Sequence, residues 1–187
     1  LSGGGGIYSV AAGQVTIAAS TVASNTATNW GGGIYNTGSG STITLTNSSQ
    51  VLANAASLGG GIYNLSAGLV TVDASVIASN WAGYGGGIYS TGSGSALTLT
   101  NNSLLQANVA SSPHGGGIYN DAGGSVAVVA STIVSNFANV LGGGISNAVS
   151  GSVSIATSTV AANFAGTGGG VANESAGRMT IDASRVV

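Results

Sequence analysis

The side chains able to do acid–base, nucleophilic or metal chemistry are few enough to weigh one by one. The acids are Asp73, Asp121, Glu174 and Asp182, the one imidazole is His114, the cations are Arg178 and Arg185, and there is no cysteine or lysine. Glycoside hydrolysis needs two carboxyl groups about 5–9.5 Å apart. A metal site needs clustered His, Asp or Glu. A serine nucleophile needs an oriented imidazole backed by an acid, and serines are plentiful here. The recurrent Gly-Gly-Gly blocks lack the Lys-Ser/Thr ending of a phosphate loop and read as close backbone packing at a corner. Which of these groups can meet depends on the elements that carry them.

Composition narrows the setting. Charged residues are 3% of the 187, against about 25% in ordinary globular domains. A net charge of -2 builds no field to hold nucleic acid or an acidic membrane surface. No apolar run approaches the roughly 18 residues of a membrane span. Without cysteine there are neither disulfides nor thiolate sites. The first residue is Leu1 and no charged or apolar leader is visible, which points to a processed or excised piece.

The organising signal is a repeat. An aliphatic residue closes each glycine block at Ile7, Ile34, Ile62, Ile88, Ile118, Ile145 and Val171, 26–30 residues apart. A serine recurs at Ser20, Ser49, Ser75, Ser103, Ser131, Ser158 and Ser184. Five residues after each of the first six stands Asn25, Asn54, Asn80, Asn108, Asn136 or Asn163, followed two residues later by an alanine. The Ser-to-Asn interval never changes, whereas the stretch from Asn to the next glycine block varies in length and reads as a tolerant loop.

Each unit holds three short extended segments: Gly-Gly-Gly-Ile-Tyr-Asn, an alternating run such as Thr42–Thr46, and Ser-x-aliphatic-x-x-Asn. Such strands cannot bury their apolar faces alone, but stacking successive units about 4.8 Å apart pairs each strand with its copies. The fold class is therefore all-β, a right-handed parallel β-helix of about seven coils with three strands per coil, spanning 1–187 as one segment uncapped at both ends. Aliphatic columns should run inward: the seven residues above, then Val15/Ile43/Val70/Leu97/Val126/Val153/Met179, and Val22/Val51/Ile77/Leu105/Ile133/Val160/Val186. The asparagines Asn25, Asn54, Asn80, Asn108, Asn136 and Asn163 should form a structural ladder at the bend after the third strand, their amides bonding to one another and to backbone.

Stacking also sets the distances for chemistry. Asp73 and Asp182 share a place in the repeat but lie four coils apart, about 19 Å. Asp121 and Glu174 lie two coils apart, about 10 Å, in turns without a basic partner. His114 follows Pro113 in the longest loop, and nothing in the sequence orients it toward an acid or a hydroxyl. No catalytic residue, metal or cofactor is expected. Two outward columns stand out. Thr16, Thr44, Thr71, Thr98, Ala127, Ser154 and Thr180 form one, which matches an ice-binding array only in its first column. Tyr8, Tyr35, Tyr63, Tyr89 and Tyr119 form the other, a contact stripe for sugar or protein or a stack of rings between coils. Asn47, Asn64, Asn101 and Asn173 begin Asn-x-Ser sequons.

The pairing of Gly32-Gly33-Ile34 with Val51-Leu52-Ala53-Asn54, repeated along the whole chain, resembles the repeats of polymorphic outer-membrane proteins and related autotransporter passengers. Val, Ile or Leu stands here where that family's second motif carries Phe. The resemblance implies a secreted, surface-exposed β-helix with adhesive or structural duty. Three functional expectations follow. The first is a non-catalytic structural component of an extracellular or cell-surface β-solenoid fibre, partnered by itself, head to tail or laterally, or by the continuation of a longer solenoid. The second is a surface adhesin binding host or matrix glycan, or protein. The third is an ice-binding or polysaccharide-active β-helix.

Overall fold

Alternating aliphatic and small polar residues set every strand of the repeat, and glycine or left-handed corner residues end it. In the computed structural model, which describes residues 3–187, the chain winds as a parallel β-solenoid of about seven turns, and those residues form no helix. Coils are numbered one to seven here by Ile7, Ile34, Ile62, Ile88, Ile118, Ile145 and Val171. In coil two the strands are Ile34–Thr37, Thr42–Thr46 and Gln50–Leu52. Each belongs to a parallel sheet of seven strands, one from every coil.

The register is residue on residue. Ile34 pairs with Ile7 and Ile62, Ile43 with Val15 and Val70, and Val51 with Val22 and Ile77. The three expected columns line one continuous core, fully or nearly fully buried from coil two to coil six. A second inward position of the middle strand, Ile17, Leu45, Val72, Leu99, Val128 and Ile155, thickens it. With a single residue of each coil contributing to each column, volume can be conserved only by like-for-like replacement.

The glycine blocks let coils approach at the first corner. The leading glycine is left-handed, as at Gly59 with φ of 61°. A Cβ on the third, Gly61, would sit 2.6 Å from the Gly87 carbonyl oxygen of the next coil. Only hydrogen fits there.

The segment from Asn to the next glycine block is not a plain loop. Ala55–Leu58, Trp81–Tyr84, Val109–Ala110 and Phe137–Ala138 pair in a fourth, shorter parallel sheet. Its inward column is the alanine found two residues after each Asn: Ala56, Ala82, Ala110 and Ala138 are buried. Length variation is absorbed beyond these residues, just before the glycines.

Hydrogen-bonded side chains fix both ends of the third strand, which accounts for its constant length. The Ser103 hydroxyl donates to the Val72 and Thr100 carbonyls at 2.9 and 2.7 Å and accepts from the Ser75 N–H at 3.3 Å. At the far end stands the asparagine ladder. Asn80 Oδ1 accepts from both the N–H and Nδ2 of Asn54, at 2.9 and 3.0 Å. Asn80 Nδ2 donates to the Val51 carbonyl at 3.0 Å and to Asn108 Oδ1 at 2.9 Å. The pattern repeats from Asn25 through Asn54, Asn80, Asn108 and Asn136 to Asn163. The residue before each asparagine is left-handed without being glycine, for example Ala53 at φ 51° and Ser79 at φ 57°. That geometry costs about 1–2 kcal/mol per residue, and the four side-chain bonds of each interior ladder asparagine, Asn54, Asn80, Asn108 and Asn136, hold it.

Candidate functional site

The six ladder asparagines lie inside the corner; Asn54, Asn80, Asn108 and Asn136 are buried, and they serve the stack rather than a surface. A second amide column runs through the first sheet: Ser9, Asn36, Asn64, Ser90, Asn120, Asn147 and Asn173. Here Nδ2 donates to the next Oδ1 at 2.9 Å from Asn36 to Asn64, 2.8 Å from Asn120 to Asn147 and 2.7 Å from Asn147 to Asn173. The Asn of Gly-Gly-Gly-Ile-Tyr-Asn was the available signal, masked by its two serine interruptions. Asn64 is therefore a buried ladder member, closed to modification in the folded chain, while the sequons at Asn47, Asn101 and Asn173 are exposed.

The chemistry-bearing groups gather on the outer side of this sheet. The tyrosine rings pack one on the next along the axis, with centroids 5.1 Å apart for Tyr8 and Tyr35, 5.4 Å for Tyr35 and Tyr63, 5.2 Å for Tyr63 and Tyr89, which meet edge to face, and 4.7 Å for Tyr89 and Tyr119. Residues just before the glycine blocks fold over them. Trp30 packs against Tyr35 and Tyr63, and Tyr84 and His114 against Tyr119. As a result Tyr35, Tyr63 and Tyr119 are 6–8% exposed, and only Tyr8, on the outermost coil, reaches 54%. Of the two arrangements open from sequence, stacking between coils is the geometry found for most of the column.

Asp121 and Glu174 flank this stack. Tyr89 donates its hydroxyl to Asp121 Oδ2 at 3.2 Å. Burial, then the neighbouring Tyr35 and Asp121, pushes the Tyr63 phenol up to about 12. Burial, then Asp121, Glu174 and Tyr84, does the same for Tyr119, also to about 12. Tyr89 moves in the same direction, again first through burial and then through Asp121. The phenols are thus held neutral near carboxylates, with Tyr89 the one that donates to Asp121.

His114 is not a free loop residue. Its ring stacks on Tyr119 at 5.0 Å, and Nδ1 lies 3.5 Å from both Ser146 Oγ and Glu174 Oε1. The Ser146 hydroxyl donates to Glu174 Oε1 at 3.0 Å. A serine–histidine relay needs the hydroxyl on one ring nitrogen and the acid on the other. Here both meet the same nitrogen and the hydroxyl donates directly to the carboxylate, so the imidazole is not set between acid and hydroxyl as that relay requires. Among the described residues no three His, Asp or Glu side chains converge in a way that would hold a metal ion.

The threonine column is in register, Thr16 on Thr44, Thr44 on Thr71 and Thr71 on Thr98, continuing through Ala127 and Ser154 to Thr180. A different column, with three aromatic members, faces solvent. The outward residues of the fourth sheet, taken coil by coil, are Thr26, Ala55, Trp81, Val109, Phe137 and Phe164. Trp81 is 50%, Phe137 38% and Phe164 63% exposed. They stand directly after the ladder asparagines, at a fixed place in the repeat, but range from Thr and Ala to Trp and Phe, so no recurring residue type marks the column in the sequence. Comparison of the chain with protein-family models, curated proteins and solved structures finds no match.

Proposed function

We propose that this chain is a structural, non-catalytic segment of an extracellular or cell-surface β-solenoid fibre. The observation that carries the reading is the corner ladder, which directs polar side chains inward along the axis in a chain whose residues are only 3% charged. Polar groups used in this way bind coil to coil and turn a thin solenoid into a stiff rod. The titratable groups support the same reading, since Asp121, Glu174 and His114 are occupied by Tyr89, Ser146 and each other. The likeness of the paired Gly-Gly-x-Ile and aliphatic-x-x-Asn motifs to outer-membrane passenger repeats supports the surface location. Electron microscopy of the native material tests the proposal. Long uniform filaments are the expected result; isolated stalks ending in a membrane domain would overturn it in favour of the adhesin reading.

A further inference from the structure

The fourth-sheet column has an internal order that its exposure alone does not explain. Coils one and two present the small Thr26 and Ala55, coils five and six the large Phe137 and Phe164, and the middle pair is Trp81 and Val109. Thr26, Ala55, Trp81 and Gly83 line a depression of about 360 Å³ at the small end. At the large end, the Phe137 and Phe164 rings lie 5.5 Å apart and 7° from parallel, forming a raised double ridge. The column next to them is low near the depression, with Thr28, Ser57 and Gly83. No charged residue stands on the third or fourth sheet in coils one to six.

We propose that this face binds a second copy of the same chain, antiparallel, about a two-fold axis lying in the interface and crossing the rods between coils three and four. The inference deepens the fibre reading and rests on it, naming the lateral contact. Under that symmetry coil one faces coil six, two faces five, and three faces four. Phe164 then lies over Thr26, Phe137 over Ala55, and Trp81 over Val109, so every large side chain meets a small one. A parallel pair would set Phe on Phe and Trp on Trp and leave the small end empty. An isologous contact of this kind is self-complementary and closes as a pair. The absence of charge on both faces removes the repulsion that like-charged copies would meet, and exposed aromatic side chains are the usual anchors of such contacts.

Because the chain has no cysteine, engineered thiols report the pairing directly. Ser57→Cys and Asn139→Cys mark coils two and five beside the aromatic column without altering it. With a short thiol–thiol cross-linker, a mixture of the two variants should give covalent dimer well above either variant alone. Dimer formed equally by Ser57→Cys alone, or none in the mixture, overturns the antiparallel pair. Sedimentation equilibrium supplies the second readout: the full chain should dimerise, and Trp81→Ser with Phe137→Ser should weaken association at least about tenfold. A chain that stays monomeric at high concentration, or whose Trp81 fluorescence instead responds to a neutral oligosaccharide, rejects the proposal. Native filaments seen without lateral pairs would sink this contact and leave the fibre reading standing.

Discussion

The molecule holds two columns of asparagine amides, and only one of them is complete. In the corner ladder each interior Oδ1 accepts two bonds from the preceding coil and each Nδ2 donates forward and back, unbroken through six coils. In the strand ladder Ser9 and Ser90 interrupt the series. Asn36 Oδ1 and Asn120 Oδ1 are the buried side-chain polar atoms left without a partner among the described residues, and each lies one coil after a serine. A hydroxyl in the place of a carboxamide is too short to reach the next oxygen. One missing group thus strands an acceptor a coil away, which shows that these columns work as chains of bonds rather than as isolated pairs.

The contrast can be broken most severely in the corner ladder. Asn80→Leu keeps the branching of the side chain but is bulkier, removes four hydrogen bonds in a buried corner and releases the left-handed Ser79. Stability measured by urea unfolding should fall by about 4 kcal/mol. Asn64→Leu in the strand ladder removes the acceptor of Asn36, the donation to the Gly68 carbonyl and two longer contacts, to the Ala96 carbonyl at 3.2 Å and Ser90 Oγ at 3.4 Å; with weaker bonds and no left-handed residue released before it, it should cost about 2 kcal/mol in the same assay. Equal losses at the two sites would erase the distinction.

Alkali should act on the sheet that carries the strand ladder. Tyr63 and Tyr119 have folded values raised to about 12 above an unfolded value near 10. A raised value means that the unfolded chain loses its proton first. The stabilisation is whole below about pH 10 and disappears as pH climbs toward 12. With no lysine in the chain, the melting temperature across this window reports chiefly the phenols, and Tyr63→Phe should flatten the fall. An unchanged slope in that variant would remove Tyr63 from the account.

The smallest expected effect is a gain. Coils two and four share the Thr-Gly-Ser-Gly-Ser turn, and coil two accommodates Asn36 directly before it. Ser90→Asn should therefore fit, give Asn120 Oδ1 its donor and raise stability by about 1 kcal/mol. Destabilisation by this change would show that the column is closed to a larger side chain at coil four.

Much of this was legible in the amino-acid order. Ile7, Ile34 and Ile62 lie over one another because a period of 26–30 residues with fixed internal spacing leaves parallel stacking as the way to bury them. The corner asparagines were legible for the same reason. The Tyr column was found, but its cover was not: Trp30, Tyr84 and His114 come from the segment of variable length, and alternation along a strand says nothing about what folds over it. Asp121 and Glu174, which the sequence places in turns without a basic partner, and His114, which it places in a loop with nothing to orient it, are engaged by Tyr89, by Ser146 and, for His114 and Glu174, by each other.

By itself, then, the sequence determined the repeat, the register and the inward columns, since period-two strands and like-on-like stacking are local consequences of residue order. Only the tertiary structure decided which aromatic column is covered and which faces solvent. That outcome depends on how sharply the chain bends after each asparagine, and the bend rests on bonds between residues 26 to 32 positions apart.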